Sequence, residues 1–344
     1  MTTSYIGADV DCKMTALAVE RNGEIVRRDR VPTDIVSLRD FLGTVRGSKV
    51  MVIEEGPMSG WLYRNLRTEV DQFVVCDPRR NKAIYADGDK TDPLDAGGLA
   101  ALQRGGYTRE VYHTRDEDRL ALKEVVALYH DRVQDAVRQV NKLRAQARGH
   151  GVRIPSMALA HKKVRATWME TVQPAALGER LSILWQGWDA VRSQAKMAKA
   201  QLAQRSRAYK TIAAWQEVPG VGLIRAATLF AYLDTPFRFG SPKKLYKYCG
   251  LGLKRTASGT DKNGRPKEGR LCLYRQANHR LKDSLLGAAI SAVSWDENPF
   301  RRYYRKCVQE GMTESNARHA VGRKILRVLW GMWKTNSRYE ASLV

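Results

Sequence analysis

Short apolar stretches separated by polar turns organise the first eighty residues. Residues 4 to 10, 14 to 20 and 24 to 31 are strand-like and are joined by tight turns such as Arg21-Asn22-Gly23, which predicts a three-stranded meander. A helix at about 34 to 46, a strand over 49 to 54 built on Val50-Met51-Val52-Ile53, a helix near 60 to 68 and a strand from Gln72 to Cys76 follow. That order predicts a mixed sheet flanked by helices, which Pro78 then interrupts. The period changes after residue 116. From about Glu117 to Arg148 the apolar residues, among them Leu120, Leu128, Val137 and Leu143, recur roughly every three or four positions. A second such segment runs from about Leu177 to Ala208, and Gly149-His150-Gly151 and Pro155 lie between the two. An antiparallel helical hairpin is the economical arrangement, serving either as a spacer or to present basic side chains and a dimer contact. Near Thr211 a third region begins. There Val218-Pro219-Gly220-Val221-Gly222 precedes the Ala-rich helix Leu223 to Leu233, a pattern that suits either an ordinary turn or a helix-hairpin-helix element. The fold expected is α/β followed by mainly α.

Charge sharpens this division. The 344 residues carry a formal charge of +23, but residues 1 to 110 hold 16 basic and 17 acidic side chains and are almost neutral. The surplus therefore lies downstream. Between Arg238 and Lys282 there are 13 basic and 2 acidic residues, interleaved with Tyr246, Tyr248 and Tyr274. Cations beside aromatic rings suit a nucleic-acid backbone, since each neutralised phosphate releases counterions. The residues expected to make such contacts are Lys243, Lys244, Lys247, Lys254, Arg255, Lys262, Arg265, Lys267, Arg270, Arg275 and Arg280. Five scattered cysteines without a Cys-x-x-Cys pair argue against a zinc site and for a reducing, cytoplasmic setting. No apolar run approaches the ~20 residues of a membrane span, so no membrane partner is expected.

The candidate chemistry lies in carboxylates. Asp9 ends the strand Tyr5-Ile6-Gly7-Ala8-Asp9, Glu54 ends the apolar run before it, and Asp92 and Asp95 stand three residues apart at the start of a helix-like segment. Taken alone, Asp-x-x-Asp is an N-terminal cap followed by a solvated acid. Joined to two acids at strand ends, where a ribonuclease-H-like fold places its ligands, the four suit a pair of Mg²⁺ ions. Glu55 is an alternative to Glu54, which is favoured because it directly follows the apolar strand.

These four acids, the Val-Pro-Gly-Val-Gly turn and the basic stretch around Thr256-Ala257-Ser258-Gly259 together resemble the DEDD transposases of the insertion-sequence one-ten family and the related pilin-gene invertases. The resemblance runs from Tyr5 to about Leu329. It implies a RuvC-like (ribonuclease-H-like) DEDD domain over residues 1–112, a helical coiled-coil linker over 113–210 and a C-terminal transposase domain over 211–335. Ser258 would be the nucleophile and Asp9, Glu54, Asp92 and Asp95 the Mg²⁺ ligands. The implied activity is a mobile element's DNA recombination, guided by a bridge RNA and carried out in the nucleoid by homodimers that pair into homotetramers. Two departures are visible. The segment around Glu54-Glu55-Gly56 is one residue shorter than the family's, and Asn278-His279-Arg280-Leu281 lacks the Ser-Lys and Gly common there. The rivals are a Mg-dependent structure-selective DNA nuclease, in which water replaces Ser258, and a domesticated nucleic-acid-binding protein. A tyrosine nucleophile, Tyr246 or Tyr274, would leave the four acids without a role.

Overall fold

The computed structural model describes residues 2–80, 92–256, 269–274 and 276–343. The chain divides into two compact units, Met1–Arg115 and Asp116–Val344.

The first unit is a five-stranded sheet with helices on both faces. Strands β1 (Thr3–Val10), β2 (Met14–Arg21) and β3 (Glu24–Pro32) form the meander, and helix α1 (Ile35–Thr44) leads to β4 (Ser48–Glu54). Helix α2 (Ser59–Leu66), β5 (Gln72–Cys76) and α3 (Asp92–Arg104) complete the unit. The order across the sheet is β3-β2-β1-β4-β5, with β4 parallel to both β1 and β5. Alternating side chains separate two cores. Ile6, Ala8, Leu17, Met51 and Ile53 pack under α1 and α2 through Leu38, Phe41, Leu62 and Leu66. On the opposite face α3 lies on small residues: Ala96 packs with Ala16 and Ala18, while Leu99 meets Val52, Val74 and Cys76. Such a sheet fits a ribonuclease-H-like DEDD domain.

The second unit is helical. Helix α4 (Glu117–Gly149) starts at an Asp116 cap that accepts the Arg119 N–H, and α5 (Ser156–Ala160) and α6 (Lys162–Glu170) lead to α7 (Ala175–Ser206). Gln146 meets Arg180, Gln139 lies against Gly187 and Arg132 meets Gln194, so α4 and α7 run antiparallel. The short helices α5 and α6 were not apparent from periodicity. They contribute Ala158 and the half-buried Trp168 to a separate small core with Leu143, Leu181 and Trp185. At the other end of the pair, Leu122, Val126 and Leu202 join the large core of the remaining helices. Part of the expected linker therefore shares its core with the C-terminal region.

Helices α8 (Lys210–Trp215) and α9 (Leu223–Leu233) flank the glycine turn. Next come α10 (Pro242–Tyr248), a two-stranded antiparallel ribbon of β6 (Leu253–Thr256) and β7 (Arg270–Leu273), α11 (His279–Ser294), α12 (Pro299–Gln309) and α13 (Glu314–Thr335). Gly220 takes φ +84°, and a Cβ there would lie 2.2 Å from the Ala288 carbonyl oxygen. Its turn is therefore seated on α11, while Gly222 at the start of α9 is exposed. Among the described residues no helix is long and apolar enough to cross a membrane.

Candidate active site

Asp9 and Glu54 close neighbouring parallel strands. The pairing of β1 with β4 runs through Ala8↔Ile53, which sets Asp9 beside Glu54 one step further on. Alternation turns Ile6 and Ala8 towards α1 and α2, and Gly7 and Asp9 towards the face that receives α3. Val52 packs on that same face and Glu54 shares its parity. Both acids are half-buried. Glu55 lies beyond the strand, is exposed, and donates its backbone N–H to the Cys76 carbonyl at 2.9 Å. The nearby Asp11 is held in its own turn, where the backbone N–H groups of Cys12 and then Lys13 keep its carboxyl below the ordinary range.

The route of α3 follows from two contacts. A Cβ on Gly7 would lie 1.9 Å from the Ala96 carbonyl oxygen and 2.8 Å from the Ala100 nitrogen, so the helix backbone rests directly on β1. Arg104, in the last turn of α3, pairs with the buried Glu20 of β2, which is the partner of Tyr5 in the sheet register. From Ala96 to Arg104 the helix thus travels back along β1 from Gly7 to Tyr5. Its first turn accordingly points towards the end that carries Asp9. Asp92 opens that turn, although its side chain lies outside the described residues, and Asp95 is half-buried one position before Ala96.

Carboxylate oxygens at adjoining strand ends are hard donors, which fits a divalent cation such as magnesium better than a soft metal. Among the described residues no three His, Cys, Asp or Glu side chains group closely enough to hold an ion by themselves. Periodicity identified the acids but not their support. A glycine inside a strand two residues before an acid, as in Gly7-Ala8-Asp9, is the signal that a backbone approaches there.

In the second unit, Lys243, Lys244, Lys247, Lys254 and Arg255 are exposed, and the Lys247 ammonium sits 4.5 Å from the centre of the Tyr274 ring. Arg280 is turned inward instead. Its guanidinium pairs with Asp131 and donates to the Tyr232 hydroxyl, an engagement that sequence spacing could not reveal. Ser258, Lys262, Arg265, Lys267 and Arg275 lie outside the described residues, as does the side chain of Arg270.

Comparison with known proteins gives the family. Residues 6–150 match the model of the DEDD transposase domain of IS110 elements, described as a transposase, and DEDD domains of this kind are typically dependent on divalent metal. Residues 213–305 match the transposase IS116/IS110/IS902 family. A Sinorhizobium fredii protein named as a transposase, y4qE, is 22% identical over 96% of this chain and 88% of its own length. A 43.6 kDa protein of insertion element IS110 from Streptomyces coelicolor is 23% identical over 93% of this chain and 91% of its own. Transposases act on DNA, and the chain belongs to the IS110 family of insertion-element transposases.

Proposed function

We propose that this transposase cuts and rejoins DNA through a serine ester, with Asp9, Glu54, Asp92 and Asp95 as one Mg²⁺-binding set and Ser258 as the nucleophile. The observation that supports it best is the shared face of Asp9 and Glu54 at adjoining strand ends, with an acid-bearing helix directed towards them. Magnesium, when bound, supplies positive charge at the scissile phosphate. The chain's own groups do the rest. The Ser258 hydroxyl gives up its proton to solvent and its oxygen bonds to phosphorus; the bond to the 3′-oxygen breaks, and that oxygen takes up a proton to leave as a 3′-hydroxyl. The 5′-phosphate stays on the serine as an ester. Attack by a new 3′-hydroxyl reverses the step without an energy source. Basic residues from Lys243 to Arg275 hold the phosphate backbone, a non-coding bridge RNA selects the sites by base pairing, and homodimers joined into a homotetramer exchange strands.

Trapping tests this reading. The protein incubated with Mg²⁺, a suicide DNA substrate and RNA transcribed from the sequence flanking its gene should yield a denaturation-resistant protein–DNA band, which Ser258→Ala and Asp92→Asn abolish. Cleavage by Ser258→Ala with no band from the wild type would instead establish a nuclease that uses water.

A further inference from the structure

Helix α13 carries a half-buried cation that has no acidic partner among the described residues. At Gly322 the helix comes close to the chain entering the ribbon: a Cβ there would lie 3.3 Å from Leu251 Cδ1. The next residue, Arg323, is half-buried and donates one N–H to the Leu251 carbonyl at 3.3 Å, a long bond to a neutral acceptor. Among the described residues no carboxylate forms an ion pair with it; Glu314 pairs with Arg318 and Glu310 with Lys306. The titratable groups its charge meets are the Tyr303 and Tyr246 hydroxyls and the Cys307 thiol. Burial lowers the guanidinium's hold on its proton and raises both phenols, so the two tyrosines stay neutral and able to donate. Arg327, one turn further on, is exposed and its charge also acts on Tyr246. The Lys324 ammonium stands 4.3 Å from the centre of the Tyr303 ring.

A guanidinium withdrawn from water without a counter-ion is costly, and a carbonyl compensates it only in part. A phosphate would satisfy the planar fork with two charge-assisted bonds. We propose that Arg323 and Arg327 of α13, with the Tyr246 hydroxyl of α10, bind a phosphodiester group of the DNA strand that meets the root of the β6–β7 ribbon. The choice of DNA rests on the proposed function, because the ribbon leads to the segment containing Ser258. Phosphate binding itself needs no serine chemistry.

The test is equilibrium binding of the full-length protein to a random-sequence DNA duplex over a range of salt concentrations, with a random-sequence RNA duplex of equal length in parallel. Arg327→Gln, at an exposed position, should melt like the wild type, weaken binding and reduce the slope of log K against log salt by about one. Arg323→Gln in the same background should reduce it by about one more. Ser258→Ala should keep the wild-type slope while losing the covalent band, so failure of the serine mechanism would be distinguishable from failure of this site. Unchanged DNA affinity and slope in Arg327→Gln would overturn the proposal. An Arg323→Gln protein that is less stable but binds as before would make Arg323 a cap for Leu251 only, and a loss confined to RNA would overturn the DNA assignment.

Discussion

At Gly7 a single methyl group decides whether α3 can rest on the sheet. Because the added carbon would sit 1.9 Å from a backbone oxygen, neither side can yield by rotating a side chain. Gly7→Ala should therefore cost at least the upper end of the ~1–3 kcal/mol typical of overpacking, and should abolish cleavage by displacing the acid-bearing turn. Chemical denaturation together with the cleavage assay checks this; a stable, active variant would contradict the close approach. His130 offers a second test, through pH. Its Nε2–H donates to the Thr228 hydroxyl at 2.8 Å, since that hydroxyl's own proton goes to the Ile224 carbonyl at 2.7 Å. Burial first, and then the Arg280 charge, holds the imidazole below its ordinary value of 6.5. The unfolded chain thus takes up a proton that the folded chain refuses. This contribution to stability is complete above about 6.5 and is lost as pH falls from there towards the lower folded value. The melting temperature of His130→Gln should accordingly fall less than that of the wild type on acidification through this window.

At the scale of elements, the Glu20–Arg104 pair ties the far end of α3 to β2. Glu20 is 1% exposed and its Oε2 has no hydrogen-bond partner among the described residues, so Arg104 is the principal compensation there for a buried carboxylate. Arg104→Met should speed hydrogen exchange of the α3 amides by about tenfold or more, equivalent to ~1.4 kcal/mol, and a second change, Glu20→Gln, should recover part of the loss. Equal exchange in the wild type and Arg104→Met would remove the pair from any seating role. The strands and helices up to Cys76 were legible because alternation, turn residues and Pro78 agree with one another. Asp9 and Glu54 could be assigned to strand ends for the same reason. Their support could not, because the contact of Gly7 with Ala96 joins residues whose closeness exists only in the folded sheet. The ribbon was equally hidden. Leu-Lys-Arg-Thr and Arg-Leu-Cys-Leu are four residues each, too short for a period to emerge, and their charges read as a groove rather than a strand pair.

At the scale of the molecule, the two chain segments differ in what holds them. The first unit is near neutral and built on a sheet, whereas the second carries the basic surplus on helices joined through one large core. The antiparallel pair α4 and α7 spans both that core and the small one around Trp185, and at 33 and 32 residues each helix is about 50 Å long. Because the chain goes out along one helix and returns along the other, the span is a length that must be changed twice to be changed at all. Removing seven residues from α4 alone would slide Gln146 away from Arg180. Removing seven from each helix, between the two cores, should keep both cores packed and shorten the span by about 10 Å. The matched deletion should fold, as thermal melting would show, and the single deletion should not. The pair then acts as a ruler whose two edges are calibrated against each other, so a change in the distance it sets requires coordinated insertions or deletions and cannot arise from one substitution at a time.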